Sequence, residues 1–246
     1  MHQIEFADIG LTSYKEAWDF QDVLFREILN IKTENKRHSL NQKTPNYLLF
    51  TEHRHVYTLG KSGDPKNLLI DDDEMKKQKI EYFKTNRGGD ITYHGAGQIV
   101  GYPILDLENF FTDIKKYMRF LEEVIINTCL EYGLEAKRIE GLTGVWLSDT
   151  DGSNPRKICA MGVKSSRWVT MHGWAFNINT DLTYFNHIIP CGIDDKAVTS
   201  LAEELESKQD IEEVKKRLKR NFEQIFEAIL KEKTDELLSR YHEQIT

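Results

Sequence analysis

Residues 144–179 read GVWLSDTDGSNPRKICAMGVKSSRWVTMHGWAFNIN, and this stretch decides the fold class. Three of its segments are rich in the β-branched and aromatic residues that are typical of strands. The segments are GVWL (144–147), KICAMGVKS (157–165) and RWVTMHGWAFNIN (167–179). The turn-rich residues 149–156 predict a hairpin loop after the first segment, and Ser165-Ser166 predicts a second turn. The centre of the chain is therefore predicted to be a set of consecutive strands.

Helical patterns bracket this centre. Ser13 and Glu16 form a capping-box pattern ahead of apolar residues at helical spacing. The elements predicted outside the centre are a helix at 13–31, a buried strand at 46–51, a helix at 113–132 and a helix that begins at Asp210. Because no repeat or linker divides the chain, we predict one α+β domain over residues 1–246, with C-terminal helices at about 208–245 packed on it.

Composition excludes several classes of protein. The chain has 246 residues, of which 39% are hydrophobic and 30% charged, and its net charge of −7 disfavours nucleic acid as a partner. It contains no apolar run near the ~20 residues that cross a bilayer, and its first residues lack a signal-peptide pattern. Three widely spaced cysteines predict neither a disulfide framework nor a paired-cysteine zinc site. We therefore expect a cytoplasmic protein without a membrane partner.

The segment RGGDITYHGAGQ, residues 87–98, is the most specific local signal. Its four glycines flank a short strand, and glycine allows backbone amides to approach a ligand closely. Arg87 adds a positive fork and His94 a titratable donor. The segment matches neither the dinucleotide fingerprint nor the phosphate-binding P-loop. It indicates a ligand-binding segment, although a glycine-rich hairpin with a surface arginine would give the same pattern.

Other catalytic arrangements find little support. His53, His94 and His172 lack the helical spacing and the acidic partners of a metal site, so we predict no metal. The chain has no GxSxG elbow for a serine nucleophile.

A cysteine is the stronger candidate nucleophile. In HIIPCGI, residues 187–193, Cys191 stands between a rigid proline and a flexible glycine, which can present a thiol at the end of an element. An ordinary turn that contains cysteine is the alternative. A free thiol, with a pKa near ~8.5, needs a neighbour that favours the thiolate. His172, His187 or Lys157 can fill that role, and Lys157 can equally be a surface lysine at a strand end.

Three segments in the same order identify a resemblance. RGGDITYHGAGQIVGYPILDL, KICAMGVKSSRWVTMHGWAFNINTDL and FNHIIPCGI, followed by VTSL, resemble the lipoate-biosynthetic octanoyltransferases of the cysteine/lysine type. The resemblance runs from about Asn46 to Leu201. It implies the fold of lipoate and biotin protein ligases, a mixed β-sheet core flanked by helices.

The resemblance also implies site residues. It makes Cys191 the acyl-thioester nucleophile and Lys157 its activating base. The implied substrate-binding residues are Arg87, Gly88, Gly89, Asp90, Ile91, Thr92, Tyr93, His94, Ala160, Met161, Gly162, Gly173, Trp174 and Ala175. Cys159 lies two residues from Lys157, and we expect it to face away from the thiol-lysine pair or into the core.

The implied reaction moves an octanoyl group from acyl carrier protein to a lysine of a lipoyl domain. The acceptors are lipoyl domains of 2-oxoacid dehydrogenases and the glycine-cleavage H protein. No cofactor is implied, because the octanoyl-phosphopantetheine of the carrier is a substrate. Rival functions are an ATP-using lipoate-protein ligase, a non-catalytic module that binds lipoyl domains or acyl carrier, and a cysteine amidase or protease with His172 as base.

Overall fold

Two β-sheets and six α-helices make up the part of the chain that the computed structural model describes, residues 1–189 and 197–245. The strands are β1 (His2–Thr12), β2 (Tyr47–His53), β3 (Val56–Leu59), β4 (Glu81–Lys84), β5 (Ile91–His94), β6 (Gln98–Ile104), β7 (Lys137–Ile139), β8 (Leu142–Leu147), β9 (Arg156–Ser166), β10 (Val169–Asn177), β11 (Ala197–Val198) and β12 (Ala228–Glu232). The helices are α1 (Tyr14–His38), α2 (Asp72–Lys77), α3 (Ile114–Leu130), α4 (Leu201–Glu204), α5 (Ile211–Phe226) and α6 (Thr234–Ile245).

The larger sheet is mixed. Its strand order is β12-β1-β2-β6-β10-β9-β8-β7, with β11 added beside β9. The pairs β1–β12, β1–β2 and β9–β11 are parallel, and the remaining pairs are antiparallel. The smaller sheet has the order β4-β3-β5. The predicted α+β class with a mixed sheet core is confirmed.

Helices cover both faces of the larger sheet. On one face α3 and α5 build the main core, in which Leu121, Leu218 and Phe222 are fully buried. On the other face α1 and α6 pack through residues such as Leu24 and Leu237. The C-terminal segment contributes to these cores and adds β12 to the sheet. Within residues 1–189 and 197–245, no helix is both long and apolar enough to cross a membrane.

Local sequence explains where α1 begins and ends. The predicted capping box is present, because the Ser13 side chain accepts from the Glu16 amide and the Glu16 carboxylate accepts from the Ser13 amide. The helix extends to His38 instead of ending at residue 31, and Ser39 closes it in a left-handed conformation with φ of 51°.

The predicted turn at Ser165-Ser166 is wrong. Both serines lie in β9 and pair with Thr170 and Val169 of β10. The hairpin turns at Arg167 and Trp168 instead, with φ of 50° and 66°. A two-residue hairpin of type I′ has positive φ at both central positions, and a turn made by an arginine and a tryptophan carries no glycine or asparagine signal.

A buried carboxylate connects α3 to the hairpin of β7 and β8. The Glu122 side chain is 1% exposed, and its Oε2 accepts from Arg119 at 2.6 Å and from Arg138 at 2.8 Å. Its Oε1 accepts from the Gly144 amide at 3.2 Å. The bonds to Arg138 of β7 and to the Gly144 amide of β8 hold the hairpin against α3, and together with the Arg119 pair they satisfy the buried charge.

We expect Glu122→Ala to lower the free energy of unfolding by about 3 kcal/mol, because it leaves the buried Gly144 amide without its acceptor and removes the carboxylate that pairs with Arg119 and Arg138. Glu123→Ala is the control, since the Glu123 side chain is 38% exposed and pairs with Arg138 at the surface. That change should cost below about 1 kcal/mol. Urea unfolding of both variants measures the difference, and equal losses would contradict this role of Glu122.

Candidate functional site

A cavity of about 450 Å³ lies between the two sheets, a size typical of ligand pockets. Its floor is the larger sheet, and residues 87–92 with His94 cover it. Lys157 and all the predicted substrate-binding residues except Tyr93 line this cavity. Three separate segments of sequence, 87–94, 160–162 and 173–175, therefore meet in one place.

Small side chains make the floor. Ala160 of β9 pairs with Ala175 of β10, which pairs in turn with Val100 of β6. Gly162 and Gly173 are the next partners along β9 and β10 on the same side. Large side chains at these positions would fill the space between the sheets, so the small residues leave room for a ligand.

The glycine segment approaches the floor closely at one point. The Gly88 amide donates to the Val163 carbonyl at 2.9 Å. A Cβ at Gly162 would lie only 2.7 Å from the Gly88 carbonyl oxygen, which is closer than packed atoms allow. Glycine at 162 is therefore required for the cover and the floor to touch here.

Arg87 holds the covering segment in shape. Its guanidinium donates to the Thr58 carbonyl at 2.6 Å, the Thr58 hydroxyl at 2.9 Å, the Asp90 carbonyl at 2.8 Å and the Gly88 carbonyl at 3.0 Å. The sequence suggested that this guanidinium binds a ligand, but its hydrogen bonds go mainly to backbone carbonyls of the protein. Its positive charge still faces the cavity, where it disfavours a second positive charge.

Tyr93 does not line the cavity. Its side chain is fully buried among Tyr57, Tyr184 and Phe185, and its hydroxyl lies 2.7 Å from Nδ1 of His55. It packs on the far side of β5. Its contribution to a ligand site is therefore indirect, through the position of that strand.

Lys157 lies at the start of β9, beside the cavity. Its ammonium sits 4.6 Å from the centre of the Trp146 ring, and its chain passes over Gly144, where a Cβ would be 3.6 Å from Cε. Such a cation–π contact orients the lysine.

A β-bulge separates Lys157 from Cys159. Lys157 pairs with Trp146 and Cys159 pairs with Val145, so Ile158 is an extra residue in β9. Cys159 is fully buried in the main core, where burial raises the pKa of its thiol well above the usual range. The expected orientation of Cys159 into the core is confirmed.

Cys191 lies outside the described residues, which stop at residue 189 and resume at Ala197. Both ends of this interruption are attached beside the cavity. On one side the Ile189 backbone amide donates to the Asn67 carbonyl at 2.8 Å, and the Asn67 side-chain amide donates to the Asp90 carboxylate at 2.7 Å. On the other side, Val198 of β11 pairs with Lys157.

The three histidines considered for a metal site have other partners. Nδ1 of His53 lies 3.0 Å from the Thr12 carbonyl and its Nε2 lies 2.6 Å from the Tyr102 hydroxyl. Burial lowers the pKa of His53 to about 4 and that of His172 to about 3. Burial, His53 and Arg87 hold the pKa of His94 well below its usual range. All three are therefore neutral near pH 7.

Sequence reasoning missed several cavity residues. They are Tyr14, Gln98, Val100, Tyr102, Met118, Gly141, Leu142, Thr143, Trp146, Val163, His172, Asn177, Phe185, Ala197 and Val198. Of these, His172 was considered only as a base or a metal ligand. Tyr14 comes from the first turn of α1, far in sequence from the other segments, and its position after the cap residue Ser13 was the available signal.

The sequence matches known proteins over most of its length. The model of the lipoyl protein ligase A/B catalytic domain family matches residues 13–223. An octanoyltransferase from Christiangramia forsetii is 57% identical over 230 residues, which cover 93% of this chain and 98% of that protein.

Solved structures show the fold. A chain from an archaeal lipoylation system of Thermoplasma acidophilum, a bipartite lipoate protein ligase with its E2 lipoyl domain, aligns with a TM-score of 0.73 and 18% identity, covering 99% of this chain and 92% of that one. A lipoate-protein ligase A bound with ATP also gives 0.73 and 18%, covering 98% and 93%. The predicted likeness to lipoate protein ligases is confirmed at the level of the fold.

We expect Gly162→Ala to destabilise the protein by about 1–3 kcal/mol, because its Cβ would collide with the Gly88 carbonyl. Gly88→Ala is a matched control from the same contact, since a Cβ there would lie 3.4 Å from the Val163 carbonyl, an ordinary distance. Urea unfolding compares the two. A larger loss for the Gly88 variant would contradict the predicted close approach.

Stability should fall in mild acid. The unfolded chain takes up a proton on His53 near pH ~6.5, whereas the folded protein does so only near pH 4. The free energy of unfolding is therefore highest above pH ~6.5 and falls by about 1.4 kcal/mol per pH unit for this residue as the pH drops toward 4. His172 acts in the same direction.

Urea unfolding at pH values one unit apart, between pH 7.5 and 5, measures how the free energy of unfolding changes with pH. His53→Gln should give a shallower slope than the unmodified protein. His38→Gln, at an exposed histidine, is the control and should leave the slope in place. A slope that His53→Gln does not change would show that His53 is not the responsible group.

Proposed function

The chain belongs to the octanoyltransferases of the lipoyl protein ligase A/B catalytic domain family, and we propose that it takes the octanoyl group from acyl carrier protein and transfers it to a lysine of a lipoyl domain. One observation carries this proposal. Lys157 lies in the wall of a cavity that also contains the segments at 87–92, 160–162 and 173–175, and both attachments of the segment with Cys191 border it.

Cys191 is the proposed nucleophile of the first step. Its thiolate attacks the carbonyl carbon of the carrier thioester, so a new carbon–sulfur bond forms and the carrier's phosphopantetheine leaves as a thiol. One thioester replaces another, and the step is close to thermoneutral. Lys157 is the proposed base: its amine takes the proton of the thiol, and the ammonium that results favours the neighbouring thiolate.

The second step makes an amide. The lysine amine of the lipoyl domain attacks the acyl-cysteine, the carbon–nitrogen bond forms, and the carbon–sulfur bond to Cys191 breaks. Lys157 accepts the proton of the amine and returns one to the thiol. Conversion of a thioester to an amide is downhill, so the reaction needs no nucleotide. Lipoyl domains of 2-oxoacid dehydrogenases and the glycine-cleavage H protein are the proposed acceptors.

The octanoyl chain would lie on the floor of small residues. Ala160, Ala175 and Val100 present an apolar surface across three strands. At ~0.8 kcal/mol for each buried methylene, an apolar chain of this length gains several kcal/mol from the contact. The dimensions of the cavity would therefore select the chain length.

A basic surface beside the cavity supports docking of an acidic carrier protein. Lys115 and Lys116 are exposed on α3, which also contributes Met118 to the cavity wall, and Lys137 is exposed on β7, which pairs with the cavity strand β8. Arg119 and Arg138 belong to the same surface, but their charges pair with Glu122 and Glu123. The three lysines therefore carry the attraction that the net charge of −7 does not provide.

We also place the reaction in the cytoplasm. Cys129 and Cys159 are free thiols in the core, a state that a reducing compartment maintains.

Intact mass after mixing with octanoyl-carrier protein tests the covalent step. The unmodified protein should gain one octanoyl group that hydroxylamine removes, and Cys191→Ala should gain none. Cys159→Ala is the matched control and should still form the adduct, because that thiol is buried in the core. An adduct that persists in the Cys191 variant would disprove the assignment of the nucleophile.

The same variants separate the rival functions. An ATP-using lipoate-protein ligase would modify a lipoyl domain with free acid, and Cys191→Ala would spare that activity. A non-catalytic binding module would form no adduct with any variant. An amidase or protease would release free acid in place of a modified lysine.

A further inference from the structure

A buried tryptophan lies in the cavity wall beside the proposed base. Trp146 of β8 is 2% exposed, and its neighbours along the strand, Val145 and Leu147, are both in the main core. Successive side chains of a strand point to opposite faces. The Trp146 ring therefore faces the other side of the sheet, where it lines the cavity.

The register of the sheet places Trp146 opposite Lys157. The two residues are direct partners across the antiparallel pair of β8 and β9. Direct partners project to the same face, with Cβ atoms about 4.5–5.5 Å apart. The ammonium of Lys157 lies over the indole ring, 4.6 Å from its centre. An aromatic face attracts a cation within ~6 Å, so this contact is an attractive one.

The backbone of Lys157 is fixed on both sides of β9. Trp146 pairs with it on one side, and Val198 of β11 pairs with it on the other. The Thr199 amide donates to the Lys157 carbonyl at 2.9 Å. With the backbone held in this way, the contact with the indole ring restricts where the ammonium can lie.

The strand that carries Trp146 is anchored in turn. The Gly144 amide, two residues before Trp146, donates to the buried Glu122 carboxylate at 3.2 Å. A Cβ at Gly144 would lie 3.6 Å from Cε of Lys157, so the lysine chain passes close to the backbone at this point. The ring therefore belongs to a strand with little freedom to move, as a support for a reactive group requires.

An aromatic face distinguishes the two protonation states of a lysine. The ring quadrupole attracts the ammonium and has no comparable attraction for the neutral amine. In the proposed reaction the S–H bond of Cys191 breaks as an N–H bond forms on Lys157. The ring stabilises the ammonium that results, and the ammonium favours the thiolate that attacks the carrier thioester. The ammonium then gives its proton to the departing thiolate of the carrier.

We propose that Trp146 is a positioning residue for Lys157. Its ring holds the ammonium at the cavity wall and stabilises the charged state in which the thiolate attacks. The inference rests on the proposed acyl transfer, in which Lys157 is the base. It gives the aromatic part of the cavity wall a role in the reaction beyond contact with the acyl chain.

Alkylation of Cys191 by iodoacetamide at pH 7 tests the proposal, because the reagent reacts with the thiolate and needs neither carrier nor acceptor. We expect Trp146→Leu to slow alkylation about tenfold, because the cation–π attraction is lost and less of the thiol is ionised. In a Lys157→Ala background the same change should slow it less than about twofold, since no ammonium remains for the ring to hold. The mass of the peptide that contains Cys191, at timed intervals, follows all four proteins.

Trp146→Phe is a second variant that keeps an aromatic ring. Phenylalanine attracts a cation less strongly than tryptophan, so alkylation should slow about threefold, and again only where Lys157 is present. The rate at which the octanoyl adduct forms should fall in the same order, from the unmodified protein through the phenylalanine variant to the leucine variant. This milder change keeps the test valid if Trp146→Leu does not fold.

Phe25→Leu is the matched control for the loss of a cation–π contact. The ammonium of Lys164, also on β9, lies 4.7 Å from the centre of the Phe25 ring. Phe25 belongs to the core between α1 and the sheet. The control should therefore leave alkylation and adduct formation at the unmodified rates.

Three results would overturn the proposal. Equal slowing by the Trp146 variants with and without Lys157 would show that Trp146 acts independently of the lysine. A phenylalanine variant as slow as the leucine variant would show that the aromatic face is not responsible. Unchanged rates in both variants would show that the contact has no effect on the thiol. An unmodified protein that forms no octanoyl adduct would instead count against the proposed function.

Discussion

A chain of hydrogen bonds that all point the same way joins the two sheets. Each member donates to the next, in the order Arg87, Thr58, His94, Gln98, Asn177 and the Thr199 carbonyl. Because these groups are buried, a missing bond would leave a polar atom without water or partner, at a cost of about 1–3 kcal/mol. The direction requires neutral His94 with its proton on Nδ1, and burial beside Arg87 keeps it neutral. The cavity therefore has a fixed height.

The far end of this chain reaches the proposed catalytic lysine. The Thr199 amide donates to the Lys157 carbonyl at 2.9 Å, and the Thr199 hydroxyl donates to Glu204, which pairs with Arg156. The glycine segment that covers the cavity and the strand that contains Lys157 are thus connected by one network of hydrogen bonds. A substitution of Arg87 would therefore disturb the position of Lys157 through these hydrogen bonds, even with no ligand bound.

Much of this could be predicted from sequence where the signal is local. The capping box at Ser13 and the helical pattern from Asp210 marked helix starts, and β-branched and aromatic residues marked β9 and β10. The strands β1 and β12 were not predicted. They pair with each other although they lie at opposite ends of the chain, so no local pattern indicates the pairing. The place of Tyr14 in the cavity was missed for the same reason, because tertiary packing brings α1 to the cavity and the local sequence does not show it. The bulge at Ile158 depends on the register between β8 and β9, and the sequence of β9 alone does not contain that information.

The extra residue of the bulge, Ile158, determines which side chains of β9 face the cavity. In a regular strand Lys157 and Cys159 would share a face, and a second thiol would stand beside the lysine. Ile158 shifts the alternation by one position, so Lys157 faces the cavity, Cys159 lies in the core and Ala160 lies in the cavity floor. A single inserted residue thus lets one strand contribute both to the cavity and to the core. Chains that differ by one residue at this point would present the opposite set of side chains to the ligand.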